Sequence, residues 1–161
     1  MGIDPGTKVV GYGIVESAGN RLKHIDNGGI FADKEKLMPE RLLKIYDGIC
    51  AVIEEFSPEV MSIEDVFYSR NVKTTIKLGQ ARGVAILAGI KKGLKIYEYS
   101  PTEIKSAVVG YGRAEKIQVQ TMIKTLLALP ENPQADAADA LAAAICHLNS
   151  SGLQDRLDIK K

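Results

Sequence analysis

Residues 2–15 read Gly2-Ile3-Asp4-Pro5-Gly6-Thr7-Lys8-Val9-Val10-Gly11-Tyr12-Gly13-Ile14-Val15. Ile3 to Asp4 ends a short first strand, Pro5-Gly6-Thr7 forms a turn, and the β-rich run Val9 to Val15 makes a second strand. Gly19-Asn20 turns the chain into a third strand, Leu22 to Phe31, with a bulge expected at Gly28-Gly29. From Pro39 the period changes. Leu42, Ile45, Ile49, Val52, Ile53 and Phe56 recur at helical spacing, an amphipathic helix halted before Pro58. A short apolar strand, Val60 to Val66, carries Glu64 and leads into a polar, aromatic loop, Phe67 to Asn71. A helix over Val72 to Lys92, ended by Gly93, precedes a strand at Leu94 to Tyr99. The next helix opens with Ser100 as N-cap and Pro101 at its first position, and breaks at Gly110-Tyr111-Gly112. Two more helices are expected, about Glu115 to Leu129 and from after Pro133 to about Asn149. Three consecutive strands followed by alternating helices and strands predict an α/β fold, a mixed five-stranded sheet flanked by helices. Residues 1–150 form a single domain in this reading, and residues 151–161 a polar, frayed C-terminal tail.

Composition agrees with a folded domain. The 161 residues are 45% apolar and 25% charged, which excludes an intrinsically disordered chain. No run approaches the ~18 apolar residues of a membrane span. The N-terminal residues lack the basic and apolar regions of a secretory signal, and a cytoplasmic location is expected. Cys50 and Cys146 lie in apolar helical surroundings without partnering ligands, so free thiols are expected rather than a disulfide or a zinc site.

The formal net charge of +1 hides an uneven distribution. Residues 1–68 carry a net −5, residues 69–125 a net +8, and residues 126–161 a net −2. A basic middle between acidic ends can supply both a polyanion-binding face and a carboxylate cluster.

Four carboxylates stand out. Asp4 ends a strand that the mixed sheet places centrally, and Glu64 lies inside an apolar strand on one face with Ser62 and Val66. Asp136 and Asp139 lie one turn apart on the last helix. Seven of the ten residues from Ala135 to Ala144 are alanine, so that helix can lie close to a sheet. Taken singly, Asp4 can cap a turn, Asp136 can complement the helix dipole, and Asp139 can pair with a lysine. A charge on a buried strand, as at Glu64, needs a partner or a metal. Together, four converging carboxylates repel one another unless cations are present, and an all-oxygen donor set without His or Cys selects Mg²⁺ or Mn²⁺. Two such ions would activate a water and stabilise the leaving oxygen in phosphodiester hydrolysis. His24 and His147 lie away from these motifs and are read as satisfied structural histidines. No Walker-type phosphate loop and no nucleophile-elbow serine is present.

Several blocks, in order, resemble the RuvC family of Holliday junction resolvases. They are Gly2-Ile3-Asp4-Pro5-Gly6-Thr7, Ile63-Glu64-Asp65-Val66-Phe67, Lys77-Leu78-Gly79-Gln80-Ala81-Arg82-Gly83-Val84-Ala85, Val108-Val109-Gly110-Tyr111-Gly112 and Asn132 to Ala142. The resemblance implies an RNase H-like fold, with Asp4, Glu64, Asp136 and Asp139 as catalytic carboxylates that hold two Mg²⁺ ions, for which Mn²⁺ substitutes. It also implies Lys105 and Lys116 near the scissile phosphate and Phe67 stacking on junction bases. The implied activity is structure-selective endonucleolytic resolution of four-way DNA junctions, in recombination and repair. Paired symmetric nicks leave 5′-phosphate and 3′-hydroxyl ends. A homodimer working with the RuvA–RuvB branch-migration complex is implied as well. Only three residues precede Asp4, fewer than the family's pattern, so a short first strand is expected.

The basic middle then has a task. Arg70, Lys73 and Lys77 follow the Phe67 loop at helical spacing, and Lys105, Arg113 and Lys116 flank the Gly110-Tyr111-Gly112 loop, all as phosphate contacts. Gly79 and Gly83 allow close helix approach, either against the sheet or across a dimer contact. Two other classes compete. An actin-like ATPase or sugar-kinase lobe also uses Asp-x-Gly-Thr before a hairpin, but 161 residues leave no second lobe. A non-catalytic junction-binding protein would not need all four carboxylates.

Overall fold

The computed structural model describes residues 1–19, 21–65 and 71–158, with side chains as far as Ser150. Five strands and five helices follow one another as β1 (Gly2–Asp4), β2 (Val9–Ala18), β3 (Arg21–Phe31), α1 (Met38–Phe56), β4 (Val60–Glu64), α2 (Val72–Lys91), β5 (Lys95–Tyr99), α3 (Pro101–Val109), α4 (Lys116–Leu126) and α5 (Ala135–Asp158). The sheet order is β3-β2-β1-β4-β5, so the short first strand is central, as expected. β1 runs antiparallel to β2 and parallel to β4, β2 and β3 are antiparallel, and β4 and β5 are parallel. This is the mixed five-stranded sheet of an RNase H-like fold. β1, β3, β4 and β5 all deliver their carboxyl ends to one edge, where α/β sheets place their ligands.

The pleat sorts side chains between two layers. Ile3 stands beside Tyr12 and Ile63, and all three face the layer that holds α1 and α2. Ile3, Met61 and Ile63 join Ile45, Ile49, Ala81 and Ala85 in a fully buried core there. The other face carries Gly2, Asp4, Gly11, Gly13, Ser62 and Glu64, and is covered by α5 with α3 and α4 outside it. A Cβ on Gly2 would lie 2.0 Å from the carbonyl oxygen of Ala140, and one on Gly11 2.0 Å from that of Asp136. A Cβ on Gly13 would lie 2.7 Å from the Leu141 side chain. The alanine-rich face of α5 therefore rests on a floor of glycines, backbone against backbone.

Four expectations are corrected or narrowed. The bulge in β3 is not at Gly28-Gly29. Those glycines stay in register with Tyr12 and Gly11, and the irregularity falls at Ile25, opposite the Ile14–Val15 step. Gly28 serves the Tyr12 ring instead, since a Cβ there would lie 2.9 Å from the Tyr12 hydroxyl oxygen. That hydroxyl donates to Asp26 Oδ2 at 2.8 Å, which holds the ring across the strand. The helix expected to reach Leu129 ends at Leu126, because Ala128 takes a left-handed φ of 50° and the chain closes into a turn. Gly79 and Gly83 do not pack on the sheet, for among the described residues a Cβ on either meets nothing within 4 Å. Ala81, Ala85, Ala88 and Gly89 are the buried face of α2. At the C-terminus α5 extends to Asp158, past the expected end near Asn149. The stretch contains no proline, and Gly152 alone is a weak breaker.

Cys50 and Cys146 are both free, as expected, and no described helix is long and apolar enough to cross a membrane.

Candidate active site

The register that pairs Ile3 with Ile63 continues by one residue to set Asp4 beside Glu64, both on the α5 face of the sheet. Glu64 ends β4, and its peptide is held from two sides. Asp65 N–H donates to Tyr99 O at 2.8 Å, which prolongs the β4–β5 ladder. Arg82 of α2 donates from Nε to the Glu64 carbonyl at 3.2 Å, and its guanidinium also pairs with Glu98 and, at 3.5 Å, with Asp65. Arg82 is a support that the sequence reading missed. Its only sequence signal was a cation on the otherwise small buried face of α2.

The two aspartates arrive on α5. The first turn of that helix crosses β2 with the Asp136 carbonyl against Gly11, the residue paired with Asp4. Asp139 follows one turn on, half-buried over the strand ends. A cavity of about 250 Å³ opens beside it, bordered by Glu64, Lys105, Lys116 and Asp139 with Ile104 and Val119 as apolar walls. Lys105 comes from α3, whose start is fixed by a capping box. Ser100 Oγ accepts from Glu103 N–H at 3.3 Å, and Glu103 returns a carboxylate to Ser100 N–H at 2.8 Å. Lys116 is the first residue of α4, a position where the helix dipole disfavours a cation. Its compensation is Asp139, whose Oδ2 accepts from Lys116 Nζ at 2.6 Å.

The electrostatics follow from this crowding. Burial, then Asp139, Glu64 and Asp136, push the Asp4 carboxyl up to about 8, against the opposing pull of Lys116. Burial and then Asp139 also raise Glu64, with Lys116 and Lys105 working the other way. The bond to Asp139 in turn raises Lys116. A carboxyl that keeps its proton near neutrality marks a site short of positive charge. The donors are all carboxylate oxygens, with no His or Cys on the cavity wall, which suits a hard divalent cation. Among the described residues, no three such side chains already close around one metal-sized point. Asp139 is engaged with Lys116 instead.

The remaining sequence candidates fall in different places. Lys73 and Lys77 are exposed on the first turns of α2, at the same sheet edge as the carboxylates. Arg113 is exposed just before α4 and does not border the cavity. Phe67 and Arg70 lie outside the described residues. Both histidines are structural. His24 Nε2 lies 2.6 Å from Asn27 Oδ1, while buried His147 lies 2.8 Å from the Tyr99 hydroxyl and stacks on Tyr97. A hollow of about 470 Å³ near Met1, Glu59 and His147 opens at the opposite end of the sheet, away from the four carboxylates.

Known proteins match this chain along nearly its whole length. A crossover junction endodeoxyribonuclease RuvC from Geobacter metallireducens is 54% identical over 157 residues, covering 98% of this chain and 96% of the relative. Thermus thermophilus RuvC superimposes with a TM-score of 0.85 at 30% identity, covering 95% of both chains. The same enzyme in complex with Holliday junction substrate gives 0.89 at 30% identity, covering 95% of this chain and 94% of that one. The family model described as crossover junction endodeoxyribonuclease RuvC matches residues 1–147, the stretch that holds all four carboxylates, and this chain belongs to that family.

Proposed function

We propose that this protein is a divalent-metal-dependent endonuclease that resolves four-way DNA junctions by hydrolysing one phosphodiester in each of two strands. The observation that carries the reading is the gathering of Asp4, Glu64, Asp136 and Asp139 at the carboxyl ends of parallel strands, where burial and then the neighbouring acids hold the Asp4 carboxyl up at about 8. Family membership, and relatives named as crossover junction endodeoxyribonucleases, support the substrate.

In this mechanism Asp4, Glu64, Asp136 and Asp139 would hold two Mg²⁺ ions, or Mn²⁺, whose chemistry would be to activate a water and to stabilise the leaving oxygen. The chain's own residues do the positioning. Arg82 and the β4–β5 ladder fix the backbone that presents Glu64. Lys105 and Lys116, on the cavity border, hold the oxygens of the scissile phosphate. Ile104 and Val119 keep one wall of the cavity apolar, which strengthens each charge interaction inside it. Hydrolysis with the 3′-oxygen as leaving group yields 5′-phosphate and 3′-hydroxyl ends. Phe67 stacks on junction bases, and Arg70, Lys73, Lys77 and Arg113 contact phosphates. The domain ends near residue 150, and the protein works in the cytoplasm with the RuvA–RuvB complex.

Paired nicks require two active sites, and a homodimer supplies them. Its contact surface in this reading is the outer face of α2, where Val72, Ile76, Leu87 and Ile90 are 69%, 57%, 52% and 56% exposed. Gly79 and Gly83 fall on that same stripe, with no described residue within 4 Å of a Cβ there, so two copies of the helix can approach closely.

The test is a labelled immobile four-way junction incubated with the protein, with and without Mg²⁺. Symmetric paired nicks that need the metal are expected. Asp4→Asn should abolish nicking, a loss of at least about 10³-fold, while junction binding persists. Wild-type protein that leaves the junction intact at every metal and pH, or an Asp4→Asn protein that cuts normally, would sink the mechanism.

A further inference from the structure

A second basic site lies on the other layer of the same sheet edge. A hollow of about 350 Å³ is bordered by Lys8 from the β1–β2 turn, Lys36 from the segment just before α1, Arg41 from its first turn, and Lys77 from α2. Thr7 and Thr74 add hydroxyls, and no carboxylate lines it. Among the described residues none of the four cations forms an ion pair with an acid. Lys8, Lys36 and Lys77 are exposed, whereas Arg41 is half-buried with Nε donating to Glu35 O at 2.7 Å. Lys8 O accepts from Ala32 N–H at 2.7 Å, which ties the turn to the end of β3 and fixes the rim. Four cations gathered around one concavity create a positive potential that suits an anion with several negative oxygens.

Topology says which anion. β1 and β3 end at this edge, and α1 and α2 begin there, as does α5 with its two aspartates. The turn that carries Lys8 starts at Asp4, and four residues span at most about 14 Å of chain. The turn thus starts among the four carboxylates and ends on the rim of the basic hollow. A free phosphate would meet only part of the hollow. A polynucleotide backbone that crosses the turn reaches both sites at once, with about one charge per 3.4 Å of each strand.

We propose that Lys8, Lys36, Arg41 and Lys77 form a phosphate-backbone site that grips an uncut stretch of the junction's DNA while the cleaved strand lies in the carboxylate cavity. This rests on the nuclease reading above, and extends it to three residues the sequence reading did not single out. The site reads no base, because it offers cations and hydroxyls to the backbone alone. Its contribution is to orient the arm and to add salt-dependent affinity.

The experiment measures binding of a labelled four-way junction and of a linear duplex across a salt series, with inorganic phosphate as competitor. Lys8→Ala/Lys36→Ala should bind the junction about tenfold more weakly, with a log–log salt slope shallower by about two units per engaged protomer, at about 0.9 per lost contact. Lys8→Arg/Lys36→Arg should keep both. Phosphate should displace DNA no better from wild type than from the alanine pair. If it displaces DNA selectively from wild type, the hollow is a small-anion site and the proposal falls. It also falls if the alanine pair keeps the full slope. Footprinting with an amine-reactive reagent gives a second readout that needs no variant. Bound junction should protect Lys8, Lys36 and Lys77 but not Lys91 or Lys95, which lie at the far end of α2 and β5, and unprotected Lys8 and Lys36 would overturn the site. A wild type that binds and shows the protection but never nicks would refute the nuclease reading and leave the backbone site standing.

Discussion

Asp4 joins stability to function through one proton. Its carboxyl moves from 3.8 to about 8 on folding because it is half-buried and faces three other acids. The native state therefore holds this proton more tightly than the unfolded chain does. Metal-free protein should then lose stability as pH rises from about 4 to about 8, by at most about 1.4 kcal/mol per unit. Asp4→Asn removes that slope, so in chelator at pH 8 the variant should melt higher than wild type, by about 2–4 °C for each kcal/mol recovered. Added Mg²⁺ should raise the melting temperature of wild type and have much less effect on the variant. Thermal melts across pH, with and without chelator, check all three outcomes. The residue itself was legible in the sequence, as an acid before Pro5-Gly6 at the end of a strand. Its charge state was not, because that depends on burial in the folded chain and then on acids 60 and more positions away. Arg82 was illegible for a similar reason, since its partners are a carbonyl and carboxylates on two strands.

Among the elements, α5 decides the geometry of the site. A helix of alanines is not strongly amphipathic, and its position comes from how near the sheet allows it to approach. Gly2, Gly11 and Gly13 remove the side chains that would keep it away. Gly11→Ala would put a methyl group 2.0 Å from the Asp136 carbonyl, where only backbone can yield. The expected effect is a loss of about 1–3 kcal/mol of stability, with Asp136 displaced from Asp4 and junction cleavage impaired beyond what the stability loss accounts for. Urea unfolding and single-turnover cleavage measure the two separately. Periodicity and capping signals located the strands and helices to within a few residues, apart from the C-terminal end of α5, because those signals are local. The purpose of the glycines was read wrongly in β3 and left open in α2. A glycine in a strand signals close approach without saying what approaches.

At the level of the whole molecule, the sheet edge organises the charge. The carboxyl ends of β1 and β4 present the acids toward α5, and the turn after β1 presents Lys8 toward α1 and α2. The proposed dimer repeats this arrangement twice. Ile76→Glu/Leu87→Glu, placed on the exposed stripe of α2, should convert dimer to monomer in sedimentation and abolish paired nicking in a single binding event. An unchanged dimer would move the contact elsewhere.

The α/β class, the order of elements, the four candidate acids and the basic middle of the chain are legible in the linear sequence. Each of these is written in local spacing, capping and charge. Only the tertiary structure decided that Lys116 answers Asp139, that Arg82 holds the peptide of Glu64, and that Lys8, Lys36, Arg41 and Lys77 share one hollow. It also decided the protonation of Asp4. The physical reason is common to all of them. Coulombic repulsion, desolvation and close packing depend on distance through space, and residues far apart in the chain become neighbours only when the sheet closes.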